Sequence, residues 1–117
     1  MVSSNLYTLE IQQGATLSLV ATWNDSTGAA INLTGYTARL QVRTSYSATS
    51  SILSLTSSSG IALGGTAGTI TITVSATDTA ALTAPWIGVY DLELVSGGGV
   101  VTRLLEGTAT VSPEVTR

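Results

Sequence analysis

Asp91 and Glu93 are the two residues whose type and spacing come closest to a catalytic pair. They lie two apart in an alternating segment, so a strand puts both on one face, roughly 6–7 Å apart along the backbone. That separation suits paired acid/base carboxylates. The competing reading is a solvated face on which Arg39, Arg43 or Arg103 from neighbouring strands balances each acid. Each such exposed pair contributes well under about 1 kcal/mol.

The rest of the composition favours the second reading. Histidine, the side chain that titrates near neutral pH, is absent. Cysteine is absent too, which removes a thiolate nucleophile, a disulfide and a thiolate metal site. All four basic residues are arginines (Arg39, Arg43, Arg103, Arg117), so there is no lysine for a Schiff base or a P-loop. A metal site would have to be built from carboxylates alone, and the seven acids are scattered. The expectation is therefore no enzyme, no cofactor and no metal. A net charge of −3 with four dispersed arginines also excludes the basic stripe that nucleic-acid binding needs.

Other residues suit contact with a partner better than chemistry. Arg103 and Glu106 flank an expected β-bulge, which leaves room for them to point to different faces. They make either an exposed strand pair or one arm of an inter-subunit salt bridge. Trp86 follows Pro85 at the start of a strand and either caps the core or anchors a partner, as interface tryptophans do. Trp23 ends an alternating run and is read as core. Gly97-Gly98-Gly99 precedes a strand, with neither helix nor lysine behind it, so it reads as a hairpin turn rather than a phosphate cradle. Arg39, Arg43, Trp86, Asp91, Glu93, Arg103 and Glu106 are thus the candidate protein-interface residues.

Period-two alternation sets the elements that must carry these residues. Strands are expected over Leu6–Ile11, Leu17–Trp23, Ala30–Thr34, Thr37–Arg43, Ile52–Leu55, Ile61–Leu63, Thr69–Val74, Trp86–Val95 and Val100–Val111. Asn24–Gly28 has the composition of a tight turn, and Thr44–Ser51 that of a mobile loop. Ala76–Leu82 is the one helical candidate, with Ser75 or Thr77 as cap and Asp78 near its N-terminus. In the last strand the apolar parity switches at Leu104-Leu105, and with Gly107 nearby this indicates a bulge. Seven to nine short strands with one helical turn make an all-β, immunoglobulin-like Greek-key β-sandwich, with a small closed barrel as the alternative. The 117 residues fit one domain, with short arms at Met1–Asn5 and Pro113–Arg117 expected to reach onto neighbours.

Met1–Asn5 has no basic or apolar segment of a signal peptide, and no apolar run nears the roughly 20 residues of a membrane span. The expectation is a protein made and folded in a cytoplasm, its Asn24-Asp25-Ser26 and Asn32-Leu33-Thr34 sequons serving as turn and strand-end chemistry. Only 9% of residues are charged, against about 25% in an average domain. Such a surface protects edge strands poorly. It reads as either a subunit meant for embedding in an assembly or a bias of lineage composition.

Several segments resemble a family of small bacteriophage structural proteins. They run from Leu9-Glu10-Ile11-Gln12-Gln13-Gly14-Ala15-Thr16 to Trp23, through Ile31-Asn32-Leu33-Thr34-Gly35-Tyr36-Thr37-Ala38-Arg39, and over Thr77–Leu82. Gly88-Val89-Tyr90-Asp91-Leu92-Glu93-Leu94 and Val101–Thr108 complete the likeness, which spans nearly the whole chain. The family includes proteins similar to the siphophage collar protein that tethers long tail fibres, and to the N-terminal domain of the lactococcal phage baseplate upper protein. The resemblance implies an immunoglobulin-like adaptor in the tail, baseplate or neck of a virion. It would bind other phage structural proteins as a homo-oligomer or multi-copy ring, without catalytic residues. The resemblance does not extend to the C-terminal fibre-forming part of longer relatives, so direct host-receptor binding is not expected from it. A capsid decoration protein and a carbohydrate-binding module are the alternatives, the latter needing an exposed aromatic platform among the two Trp and four Tyr.

Overall fold

The computed structural model describes residues 5–116. The charged residues of interest lie on strands of strict alternation. In β4 (Thr37–Arg43), Ala38, Leu40 and Val42 are buried while Thr37, Arg39 and Gln41 face solvent. In β8 (Trp86–Val95), Gly88, Tyr90, Leu92 and Leu94 point inward. The remaining elements are β1 (Asn5–Leu6), β2 (Leu9–Gln12), β3 (Leu17–Thr22), β5 (Leu53–Thr56), β6 (Ile61–Leu63), β7 (Thr69–Val74), α1 (Ala76–Ala80) and β9 (Val101–Ser112), with a 3₁₀ turn at Gly65–Ala67.

One sheet runs β1–β9–β8–β4–β5, with β2 also on β9; the other runs β3–β7–β6. Both β1 and β2 pair with β9 in parallel, and all other pairs are antiparallel. The chain crosses between sheets after β2, β3, β5 and β7, which is the Greek-key connectivity of an immunoglobulin-like sandwich. Between the sheets lies an aliphatic core that includes Leu9, Ile11, Leu40, Ile70, Ile72, Leu92, Leu94 and Val111, each at most 2% exposed. At this size such burial makes a core without disulfides.

α1 is capped as expected, with the Ser75 hydroxyl accepting from the Asp78 amide at 3.1 Å. Its Thr79 is fully buried. The Thr79 hydroxyl donates to the Ala15 carbonyl at 2.9 Å and accepts from the Gly14 amide at 3.1 Å, tying the helix to the turn before β3.

Three expectations are corrected. Ala30–Thr34 is a connection rather than a strand, with a single bridge between Asn24 and Ala30. There the Asn32 side chain takes the Thr34 amide at 3.0 Å, a local bond that competes with a sheet ladder. The first strand is interrupted at Tyr7-Thr8, although Leu6↔Glu106 and Leu9↔Ala109 keep one register on either side. The Tyr7 carbonyl is taken instead by the Tyr90 hydroxyl at 2.7 Å. Asn5 belongs to β1 and not to an arm. Of the expected arms, Met1–Ser4 and Arg117 lie outside the described residues, and the Glu114 amide is held by the Gln13 side chain at 3.0 Å.

Candidate functional site

The register of β4, β8 and β9 builds the candidate face. Their outward residues stack in rows across the sheet. Arg39, Glu93 and Arg103 form one row, and Gln41, Asp91 and Glu106 the next. Arg43 and Val89 follow with Thr108, then Ile87 with Thr110; at the other end Thr37 and Val95 sit with Val101.

The bulge makes these rows. Leu92 pairs with Leu105 and Glu93 with Arg103, so Leu104 is the extra residue. Thr102 before it, Leu104 at it, and Leu105, Gly107, Ala109 and Val111 after it are thereby all turned toward the core. The same shift puts Arg103 and Glu106 on one face, where parity alone would separate them. Their Nη1 and Oε1 atoms are 3.9 Å apart.

An ion network results. Arg39 Nε donates to Glu93 Oε1 at 2.8 Å, and Arg103 Nε lies 3.4 Å from Asp91 Oδ2. Asp91 therefore has its directly opposite neighbour, Glu106, as a like charge, and shares Arg103 with it. Burial raises the Asp91 carboxyl above its ordinary value, and Glu93 pushes the same way, against Arg103. Arg43 does not balance these acids. Its guanidinium donates to the Gln41 side chain at 2.7 Å and to the Ala48 carbonyl at 2.9 Å, pinning the segment expected to be loose. Gln41 is thus a member of the face outside the seven candidate residues, although alternation turns it outward with Arg39. Its position beside Asp91 is visible only once β4 and β8 are in register.

Every described arginine lies on this face, interleaved with three carboxylates. The other described acids, Glu10, Asp25, Asp78 and Glu114, lie outside its charged rows. A shallow groove of about 230 Å³ runs over the face beside Gln41, Arg43, Tyr46, Val89 and Asp91. Among the described residues, no three acids come together as a metal site. The arrangement offers fixed charges of both signs to a partner, and each of Asp91 and Glu93 is already engaged by an arginine.

Trp86 is not part of this network. It pairs with Val111, faces inward and packs on the core. A Cβ on Gly88 would collide with its indole and with the Arg43 carbonyl, so only glycine lets the ring fold back there. Beside it an apolar groove is lined by Pro85, Ile87, Val111 and Pro113. Trp23 also packs on the core, its ring edge-on to Tyr36 at 6.0 Å. The exposed tyrosines, Tyr7 and Tyr46, stand near β1 and after β4, toward opposite edges of the sheet, so they form no aromatic platform. The glycine run is the expected hairpin turn, closed by Gly99 N–H to the Ser96 carbonyl at 2.9 Å.

The opposite sheet presents a different outer face. Ser18, Val20 and Thr22 of β3 pair with Thr73, Thr71 and Thr69 of β7, and none of them is charged. The β3 strand is also an edge, with neither charge nor proline along it.

No family model matches the chain, and no curated protein matches it. Among solved structures, the extracellular domain of the voltage-gated sodium channel beta4 subunit is similar at 15% identity and a TM-score of 0.49, over 98% of each chain. That protein is described as a parallel homodimer with a role in cell–cell adhesion. A likeness at that level carries nothing about the function of this chain.

Proposed function

We propose that this chain is a non-catalytic protein-binding module that works as a subunit of an assembly, and that the assembly is a phage virion. In this reading it is an adaptor in the tail, baseplate or neck that holds neighbouring virion proteins and anchors fibres. One observation carries the binding role: all described arginines are gathered with three carboxylates on the outer face of β4, β8 and β9. Such a mixed field discriminates between partners by charge pattern and speeds encounter. The virion setting is supported by the family resemblance of the segments named above, and by an undercharged surface suited to embedding.

Quantitative mass spectrometry of purified particles from the genome that encodes the chain tests the reading. About six or twelve copies per particle are expected for a tail or neck ring. Hundreds of copies would mean a capsid decoration protein instead, and absence from particles would overturn the virion setting.

A further inference from the structure

We infer that the partner of the charged face is a second copy of this chain, docked around a two-fold axis that runs along the strands between β4 and β8. This deepens the reading above, to which it owes the idea that the face binds protein. The partner and its orientation come from the charge pattern.

The six charged residues of the face (Arg39, Arg43, Arg103, Asp91, Glu93, Glu106) sum to zero, while the rest of the described surface carries only carboxylates. Two copies approaching by any other side meet like charge or no charge, and here they can meet opposite charge. In a two-fold contact, where one residue meets a second residue of the other copy, that second residue meets the first in return. With the axis midway between β4 and β8, β4 of one copy lies over β8 of the other and each row faces itself. The register then sets Arg39 against Glu93 of the second copy, and the reverse, giving two cross-copy ion pairs. Gln41 meets Asp91, Arg43 meets Val89, and Thr37 meets Val95. Beyond the charged rows, exposed Ile87 comes toward the exposed Tyr46 of the other copy.

Neighbouring axes fail on charge. An axis between β8 and β9 sets Glu93 against Arg103 but opposes Asp91 to Glu106, so its attractions and repulsions offset. Axes centred on β4 or β8 oppose Arg39 to itself, or Glu93 and Asp91 to themselves. An axis across the strands, between the two charged rows, opposes Glu93 to Asp91. With strands about 4.8 Å apart and rows about 6.8 Å apart, the four rows shared by β4 and β8 and the two in which β5 faces β9 give about 400 Å² per copy. The total of about 800 Å² is below the size of stable specific interfaces, so the pair is weak alone. It gains from effective concentration when copies are held together in an assembly.

Sedimentation velocity on the wild type, Arg39→Glu and Glu93→Arg tests this. The wild type is expected to dimerise reversibly, weakening about tenfold when salt rises from about 0.05 M to about 0.5 M. Either variant alone is expected to be monomeric, because each opposes like charges across the axis. An equal mixture of the two is expected to form a heterodimer at least about tenfold tighter than the wild-type pair. Should either fail to fold, as judged by circular dichroism, Arg39→Gln and Glu93→Gln replace them, each expected to weaken the wild-type dimer. Thr71→Arg, on the other sheet, is expected to leave it unchanged. A wild type that stays monomeric, or a mixture of the folded charge-reversal variants that stays monomeric, overturns the proposal. A monomer that still enters particles overturns the dimer and spares the adaptor reading, and a dimer absent from particles does the reverse.

Discussion

The outer faces of the two sheets are written in the same alternation and make opposite surfaces. On β4, β8 and β9, the outward positions hold Arg39, Gln41, Arg43, Asp91, Glu93, Arg103 and Glu106. On β3 and β7, they hold Ser18, Val20, Thr22, Thr69, Thr71 and Thr73. Threonine and valine there satisfy what a strand requires, a β-branched side chain on a pleated surface, and add no preference for a partner. The charged face costs something for its pattern. Like charges directly opposite on neighbouring strands destabilise a sheet, yet Asp91 faces Glu106. The edges compare differently: among the described residues β9 carries β1 and β2 beside it, whereas β5 on the same sheet and β3 on the other each end a sheet. One outer face thus carries a pattern of fixed charges of both signs, and the other carries none.

The largest expected effect concerns the covered edge. Gly107 has φ +153°, and a Cβ there would stand 2.6 Å from the Tyr7 carbonyl that Tyr90 holds. Gly107→Val is expected to cost about 2 kcal/mol or more in urea denaturation, by strain and by lifting β1 from β9. Next comes the charge pattern. Arg103→Glu removes the cation shared by Asp91 and Glu106. It is expected to cost about 1 kcal/mol at low ionic strength, with most of the loss recovered at about 1 M salt. A loss that salt does not reduce would mean that Arg103 acts by packing and not by charge.

Asp91 sharpens the comparison with a smaller effect of opposite sign. Its carboxyl, raised chiefly by burial, ionises less readily folded than unfolded. Its stabilising contribution is therefore complete below the ordinary value of 3.8 and is lost as pH rises through the folded value. Asp91→Asn is expected to stabilise the dilute monomer at pH 7, by less than about 1 kcal/mol after solvent screening, with no difference below that window. Thermal denaturation across pH checks it, and a destabilised variant at pH 7 would show that the Arg103 contact outweighs the desolvation. The smallest effect belongs to the other sheet. Val20 is 59% exposed on β3, and Val20→Thr is expected to change stability by less than about 0.5 kcal/mol.

Much of the fold was legible because alternation is local. β4, β8 and the parity switch at Leu104-Leu105 stand in the sequence, as do Trp23 in the core and the glycine hairpin. Ala30–Thr34 misled because its alternation is real while Asn32 diverts the backbone. The face was legible in its members more than in its arrangement. Arg39, Asp91, Glu93, Arg103 and Glu106 can each be picked out, but which arginine serves which acid depends on register across three strands. The bulge that joins Arg103 to Glu106 is a property of pairing. Arg43 and Trp86 show the converse, since their partners, the Ala48 carbonyl and the Gly88 backbone, become visible only when the chain has folded.

The charged face, and not the threonine face, is the surface proposed to make contact. Backbone amide NMR spectra of the ¹⁵N-labelled wild type, recorded from dilute to concentrated solution, test it most directly. Concentration-dependent shifts are expected to centre on Thr37–Arg43 and Ile87–Val95, with Leu17–Thr22 and Thr69–Val74 unmoved. Shifts centred on β3 and β7 instead, with β4 and β8 unmoved, would contradict it.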